Sequence, residues 1–138
     1  MADTRVTYTA PVTVLSTTLN SLANGAVVTS AEQSNATTKH VGLIVAVELA
    51  AATSATGVVR VFLAAGPATS KTATTASTNN LIFVGSVTVN GTTVVRSTFP
   101  PLLNPPQFYT VHLINNAGQS LASSANTVQV VGINYEIV

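Results

Sequence analysis

Val41-Gly42-Leu43-Ile44-Val45-Ala46-Val47-Glu48-Leu49 is the stretch whose reading decides the fold. Its large aliphatic residues recur at positions 41, 43, 45, 47 and 49. Successive side chains of a strand point to opposite faces, so this period of two makes one face continuously apolar. That face requires a core. The opposite face carries Gly42, Ala46 and Glu48 and predicts a thinly covered or solvated surface. The longest apolar stretch, Val41 to Ala52, contains Glu48 and is too short to cross a bilayer, which argues against a membrane partner.

The same vocabulary extends in both directions. Val59, Val61 and Leu63 form the core face of a following strand, with Arg60 and Phe62 opposite. Upstream, Arg5 to Thr9 alternates, stops at Pro11 and resumes as Val12 to Leu15, so the proline marks an edge strand or a change of sheet. Ala26 to Thr29 is a short strand after Asn24-Gly25. Leu81 to Val89 and Thr92 to Thr98 flank Asn90-Gly91, which reads as a type I′ hairpin turn with Val87 opposite Val94 and Thr88 opposite Thr93. Gln107 to Ile114 is a strand closed by Asn115-Asn116-Ala117-Gly118. In Thr127 to Ile137, Val128 and Val130 share one parity while Ile133, Tyr135 and Ile137 share the other, which predicts a β-bulge at Gly132. Ser30 to Lys39 predicts no more than a short helical turn.

About eight strands with uneven connections give an all-β, two-sheet antiparallel β-sandwich of jelly-roll type. Residues 1–138 form a single domain with a short N-terminal arm. The immunoglobulin alternative lacks its Cys, Trp, Cys signature. The expected inward-facing residues are Val45, Val47, Val61, Leu63, Val111, Leu113 and Ile133. His112 points the other way, so its truncation should do less harm than that of Leu113.

Charged residues make up 7% of the chain, against about 25% in an ordinary domain. The net charge is +1, so the polar surface must be Thr, Ser, Asn and Gln. Such a surface hydrogen-bonds to a neighbour without the desolvation penalty of a buried ion pair, which suits a protein packed against other copies or another protein. Scattered basic residues and 5% aromatics provide neither the basic stripe nor the stacking platforms of a nucleic-acid binder. The absence of cysteine removes disulfides, zinc-thiolate sites and thiol catalysis. No apolar signal-peptide core follows Met1-Ala2-Asp3-Thr4-Arg5, which implies folding in a cytosol or export without a conventional signal.

The sequence carries no catalytic or metal-binding motif. His40 and His112 lie far apart, without metal-ligand spacing, and each reads as a surface or half-buried residue. The four acidic residues are isolated from one another, and a Glu48–Glu136 carboxylate pair would have to assemble in space. There is no Gly-x-Ser-x-Gly elbow and no phosphate-binding glycine loop. The expectation is a non-enzyme with no cofactor and no metal.

Loops and arms are free to reach partners where strand residues are committed to the core. The protein-contact candidates are therefore Ala2, Asp3, Thr4 and Arg5 in the N-terminal segment; Thr69, Lys71 and Thr74 in the small-residue loop Gly66 to Asn80; and Phe99, Pro101, Leu102 and Leu103 in Phe99-Pro100-Pro101-Leu102-Leu103-Asn104-Pro105-Pro106. Four prolines pre-order that last segment, whose simpler reading is a rigid crossover between the sheets.

Thr18-Leu19-Asn20-Ser21-Leu22-Ala23-Asn24-Gly25-Ala26-Val27-Val28-Thr29-Ser30, followed by Asn35 and the strand Val41 to Leu49, resembles small virion proteins of tailed bacteriophages. With the Thr/Ser/Val-rich, charge-poor, Cys-free composition, the chain is similar to jelly-roll decoration (cement) proteins of phage heads. The resemblance covers about the first 65 residues. It implies binding to the outer surface of an icosahedral shell, a homo-oligomer (dimer or trimer), the major capsid protein as partner, and a place on the virion exterior after synthesis in the host cytoplasm. It assigns no binding residues. The alternative is a receptor- or carbohydrate-binding module of a phage tail or head fibre. Carbohydrate-binding jelly rolls usually display Trp or Tyr platforms, whereas this chain has no Trp and its Tyr8, Tyr109 and Tyr135 fall in strands.

Overall fold

The computed structural model describes residues 3–66 and 81–138. Their strands are β1 (Thr4–Tyr8), β2 (Val12–Leu15), β3 (Val27–Thr29), β4 (Gln33–Ser34), β5 (Gly42–Leu49), β6 (Val58–Gly66), β7 (Leu81–Thr88), β8 (Val95–Thr98), β9 (Leu102–Leu103), β10 (Phe108–Asn116) and β11 (Thr127–Ile137), with a 3-10 turn at Thr17–Leu19. All pairings are antiparallel.

Three strand positions are broken in two. β1 and β2 both pair with β11, β3 and β4 both pair with β10, and β8 and β9 both pair with β5. Counting each broken strand once, the first sheet runs β1/β2, β11, β5, β8/β9 and the second runs β3/β4, β10, β6, β7. Eleven strands thus occupy eight positions, and the chain changes sheet at every connection except that between β6 and β7. This is the jelly-roll winding. Prolines account for two of the breaks, because proline brings no N–H to a ladder. Pro11 separates β1 from β2, and Pro100-Pro101 separates β8 from β9. The proline-rich segment is the crossover expected, leading from β9 in the first sheet to β10 in the second.

The core lies between the sheets. β5 contributes Leu43, Val45, Val47 and Leu49, β6 contributes Val59, Val61 and Leu63, and β10 and β11 add Val111, Leu113, Val128 and Val130, all buried. Ile133 is buried too, but on the other side of the first sheet. Leu43, in the core, is paired with Gly132, so Ile133 and its partner Gly42 share the outer face.

That placement corrects the bulge expected at Gly132. The ladder of β11 with β5 runs unbroken from Thr127 to Ile133, and the irregularity falls at Val128/Gln129 against β2. Gly132 keeps the inward parity of Val128 and Val130. It is glycine because the His40 ring lies where a Cβ would stand, 2.5 Å away. The hairpin expected at Asn90-Gly91 is also corrected: β7 pairs with β6 and β8 with β5, in different sheets. Gly91 N–H donates to the Ala55 carbonyl, Gly91 C=O accepts from Ala51, and Val89 N–H donates to Gly57. A two-residue turn would be closed by Val89 and Thr92, and the Val89 N–H is committed to the Ala51–Gly57 connection instead. Within Ser30 to Lys39 a single turn forms, with Lys39 N–H bonded to the Asn35 carbonyl.

The N-terminal arm is likewise corrected. Thr4 and Arg5 belong to β1, paired with Ile137 and Glu136, and Asp3 exchanges two backbone hydrogen bonds with Val138. Alternation of valine, threonine and tyrosine suits a ladder better than a free arm.

His112 points away from the core as expected, yet it is 1% exposed. Its Nδ1 lies 2.9 Å from Thr29 Oγ1 and its Nε2 lies 2.8 Å from Thr110 Oγ1, while Phe62 is its partner on β6. Burial pushes the imidazole pKa below its ordinary 6.5. The unfolded chain therefore binds the proton more readily than the folded one. The stability tied to neutral His112 is full above about pH 6.5 and declines as pH falls below it, until the folded-state pKa is passed. Urea midpoints measured from pH 8 down to pH 5 should fall more steeply in the native protein than in His112→Gln. Equal slopes would remove His112 from the account.

Candidate functional site

The outer face of the first sheet divides into two halves. Register places Tyr8, Ile133, Gly42 and Leu103 in one row across β1, β11, β5 and β9. Directly opposite residues share a face, so the next rows on this face are Val6 with Tyr135 and Thr4 with Ile137. Val131 and Ile44 continue it toward the centre. Tyr8 is 64% exposed, Leu103 64%, Tyr135 61%, Ile137 76% and Val6 47%. Ile133 is 7% exposed because it lies across Gly42, whose missing Cβ would stand 3.1 Å from the Ile133 Cδ1.

The other half of the face is polar. Gln129 donates to Thr13 Oγ1 at 3.2 Å, and Arg96 forms a two-pronged ion pair with Glu48 at 2.9 and 3.0 Å. Thr98 and Thr127 complete it. An exposed pair of this kind contributes little to stability. Its effect is to make this half compatible with water and leave the apolar half distinct.

The apolar half also outruns its support. β5 reaches only to Gly42 opposite Ile133, so within the described residues Asn134 to Ile137 pair with β1 alone. A two-stranded ribbon is marginal in water by itself. Arg5 and Glu136 form an exposed ion pair on its reverse face, at 2.7 and 2.9 Å. The front remains uncovered. Concentrated exposed apolar surface of this kind marks an interaction site.

Of the sequence-derived contact candidates, the structure brings Thr4 and Leu103 onto this one face from distant parts of the chain. Asp3 and Arg5 lie beside it, Arg5 on the reverse side. Pro101 is exposed, and Leu102 is half-buried against the core. Phe99 is 6% exposed and turned into the core, its ring filling the space a Gly85 Cβ would need, so it is unavailable to a partner. Ala2, Thr69, Lys71 and Thr74 lie outside the described residues.

Val6, Tyr8, Tyr135 and Ile137 were missed. Their signal was the parity of Thr127 to Ile137: uninterrupted alternation from Val128 puts Ile133, Tyr135 and Ile137 outside, whereas a bulge at Gly132 turns them in. Tyr8 and Tyr135 do fall in strands, as read, but they are exposed diagonal neighbours; Tyr109 is 7% exposed.

A second feature is a cleft of about 210 Å³ at the sandwich mouth, where His40, Tyr109, Gln33, Ser34 and Thr38 meet Leu43 and Val130. Burial pushes the Tyr109 hydroxyl up to about 12, so it stays protonated. His40 Nδ1 lies 3.0 Å from Asn134 Oδ1, and among the described residues no carboxylate lines the cleft. The arrangement offers hydrogen-bonding groups on both walls of the cleft. Glu48 and Glu136 are not brought together: Glu48 is opposite Thr127, nine residues from Glu136 along β11, or about 30 Å at strand rise. Among the described residues, no group of three or more His, Asp or Glu is placed to hold a metal ion. No helix there is long and apolar enough to cross a membrane.

No known protein family matches the chain, and no curated protein matches it. Among solved structures, the chain is similar to one from work on Bacillus endospore appendages, described as forming a novel family of disulfide-linked pili, with 11% identity and a TM-score of 0.36 over 100% of this chain and 91% of that one. A similarity that slight carries no inference about function.

Proposed function

We propose that the protein is a structural subunit of a phage virion, a decoration (cement) protein that binds the outside of the head and bridges major capsid subunits. The observation that carries this reading is the apolar half of the outer face, Val6, Tyr8, Leu103, Tyr135 and Ile137, on a protein with little charge of its own. Aromatic and aliphatic side chains on a rigid sheet lose little entropy on docking and bury much area. The hydroxyl-rich surround supplies a polar rim. The resemblance of the first 65 residues to small virion proteins supplies the partner.

Purified protein mixed with undecorated heads should bind saturably, at fixed lattice positions. Heads that sediment without it would overturn the reading. Tyr8 and Tyr135, exposed and adjacent, favour a second reading as a glycan- or receptor-binding module. Specific signal on a glycan array, with no binding to heads, would select it.

A further inference from the structure

We infer that two copies of this chain join through the free edge of β1, in antiparallel register centred on Val6, to make one continuous sheet across a two-fold axis. The inference goes beyond the reading above and stands whichever partner the apolar face takes.

β1 is the last strand of its sheet, and its outer edge has no strand partner among the described residues. The direction of its backbone groups follows from the ladder. Asp3 is bonded to Val138 at one end and Thr9 to Gly132 at the other. Hydrogen-bonded and non-bonded pairs alternate in an antiparallel ladder, so Arg5 and Thr7 face β11. The N–H and C=O groups of Thr4, Val6 and Tyr8 therefore point out from the free edge.

That set is self-complementary. With Val6 opposite Val6 of the second copy, Thr4 falls opposite Tyr8 and Tyr8 opposite Thr4. Each of these is a hydrogen-bonded pair that exchanges two bonds. Every outward group of β1 finds a partner, as an isologous contact requires. The other face of the new ladder sets Arg5 opposite Thr7, so like charges are not opposed. Natural edge strands usually carry lysine, proline or a bulge to prevent such pairing. Thr4–Tyr8 has neither lysine nor proline, its ladder with β11 is regular, and its one charge is folded back onto Glu136. Val6 and Tyr8 then stand beside Val6 and Thr4 of the second copy, and the two apolar faces merge into one.

The chain has no cysteine, which makes the test direct. Opposed Val6 Cα atoms in a hydrogen-bonded pair sit about 5.5 Å apart, within disulfide reach. Oxidised Val6→Cys should run on a non-reducing gel at twice the 14.0 kDa of the chain. Tyr135→Cys, on the same face but two strands further from its counterpart, should stay at single mass. Sedimentation of the native protein should give a dimer. Val6→Pro should halve that mass, because the N–H it removes points away from β11. A native monomer, a trimer, or a dimer that survives Val6→Pro would each overturn the inference. None of these readouts involves heads or glycans, so the outcome is independent of the partner-binding tests.

Discussion

Asn115→Ala is expected to lower stability by roughly 1–3 kcal/mol, from one buried N–H left unpaired. Asn115 is 0% exposed at the end of β10. Its Nδ2 donates to the Leu22 carbonyl at 2.8 Å and the Gln119 carbonyl at 2.9 Å, and its Oδ1 accepts from Ala117 N–H at 3.0 Å. One amide therefore holds the connection before β3 and the connection after β10. Gln119 is exposed, so its carbonyl regains water, and the Leu22 carbonyl keeps the N–H of Leu121; Ala117 is 1% exposed, and its N–H finds no replacement. A domain of this size has about 5–15 kcal/mol in all. Urea unfolding should show the loss. A change below about 1 kcal/mol would mean that the two connections are held without this side chain.

Leu113→Ala should cost about 2–5 kcal/mol, the range for a buried leucine truncated to leave a cavity. Leu113 is 0% exposed and stands between Val61 on β6 and Val28 on β3, facing the β5 and β11 valines across the sandwich. His112→Ala should also be costly, which departs from the milder effect that outward alternation alone implies. Removing the ring leaves buried Thr110 and half-buried Thr29 without their shared partner and opens a cavity in the outer face of the second sheet. The alternation in β10 is nevertheless as read. Denaturation midpoints of both variants, taken above pH 7, test this without titration of the imidazole. Native-like stability of Leu113→Ala would place it outside the core.

The sequence makes the two-sheet winding legible because it is encoded locally. Val41 to Leu49 and Val59 to Leu63 alternate cleanly, Pro11 breaks a strand where a ladder can spare an N–H, and the valine and leucine parity names the core. Information held in tertiary contacts is not legible in the same way. Asn90-Gly91 has the chemistry of a hairpin, but hydrogen bonds to Ala51, Ala55 and Gly57 send its flanking strands to different sheets. Gly132 has the look of a bulge, but the ring that occupies its place comes from His40, 92 residues earlier in sequence. The apolar face was hidden for the same reason. Its residues come from β1, β9 and β11, and only the register Tyr8–Ile133–Gly42–Leu103 shows that they form one row.

The central claim is that this apolar half-face is the partner-binding surface. The direct measurement is the affinity of Tyr135→Asp/Leu103→Asp for undecorated heads, against Thr98→Asp/Gln129→Asp on the polar half of the same face. All four positions point outward from the first sheet and away from the core, so both double variants should keep native stability. The account predicts binding weakened about 30-fold or more in the first variant, the equivalent of losing a hot spot of about 2 kcal/mol, and near-native binding in the second. Equal affinity of the first variant and the native protein would contradict it.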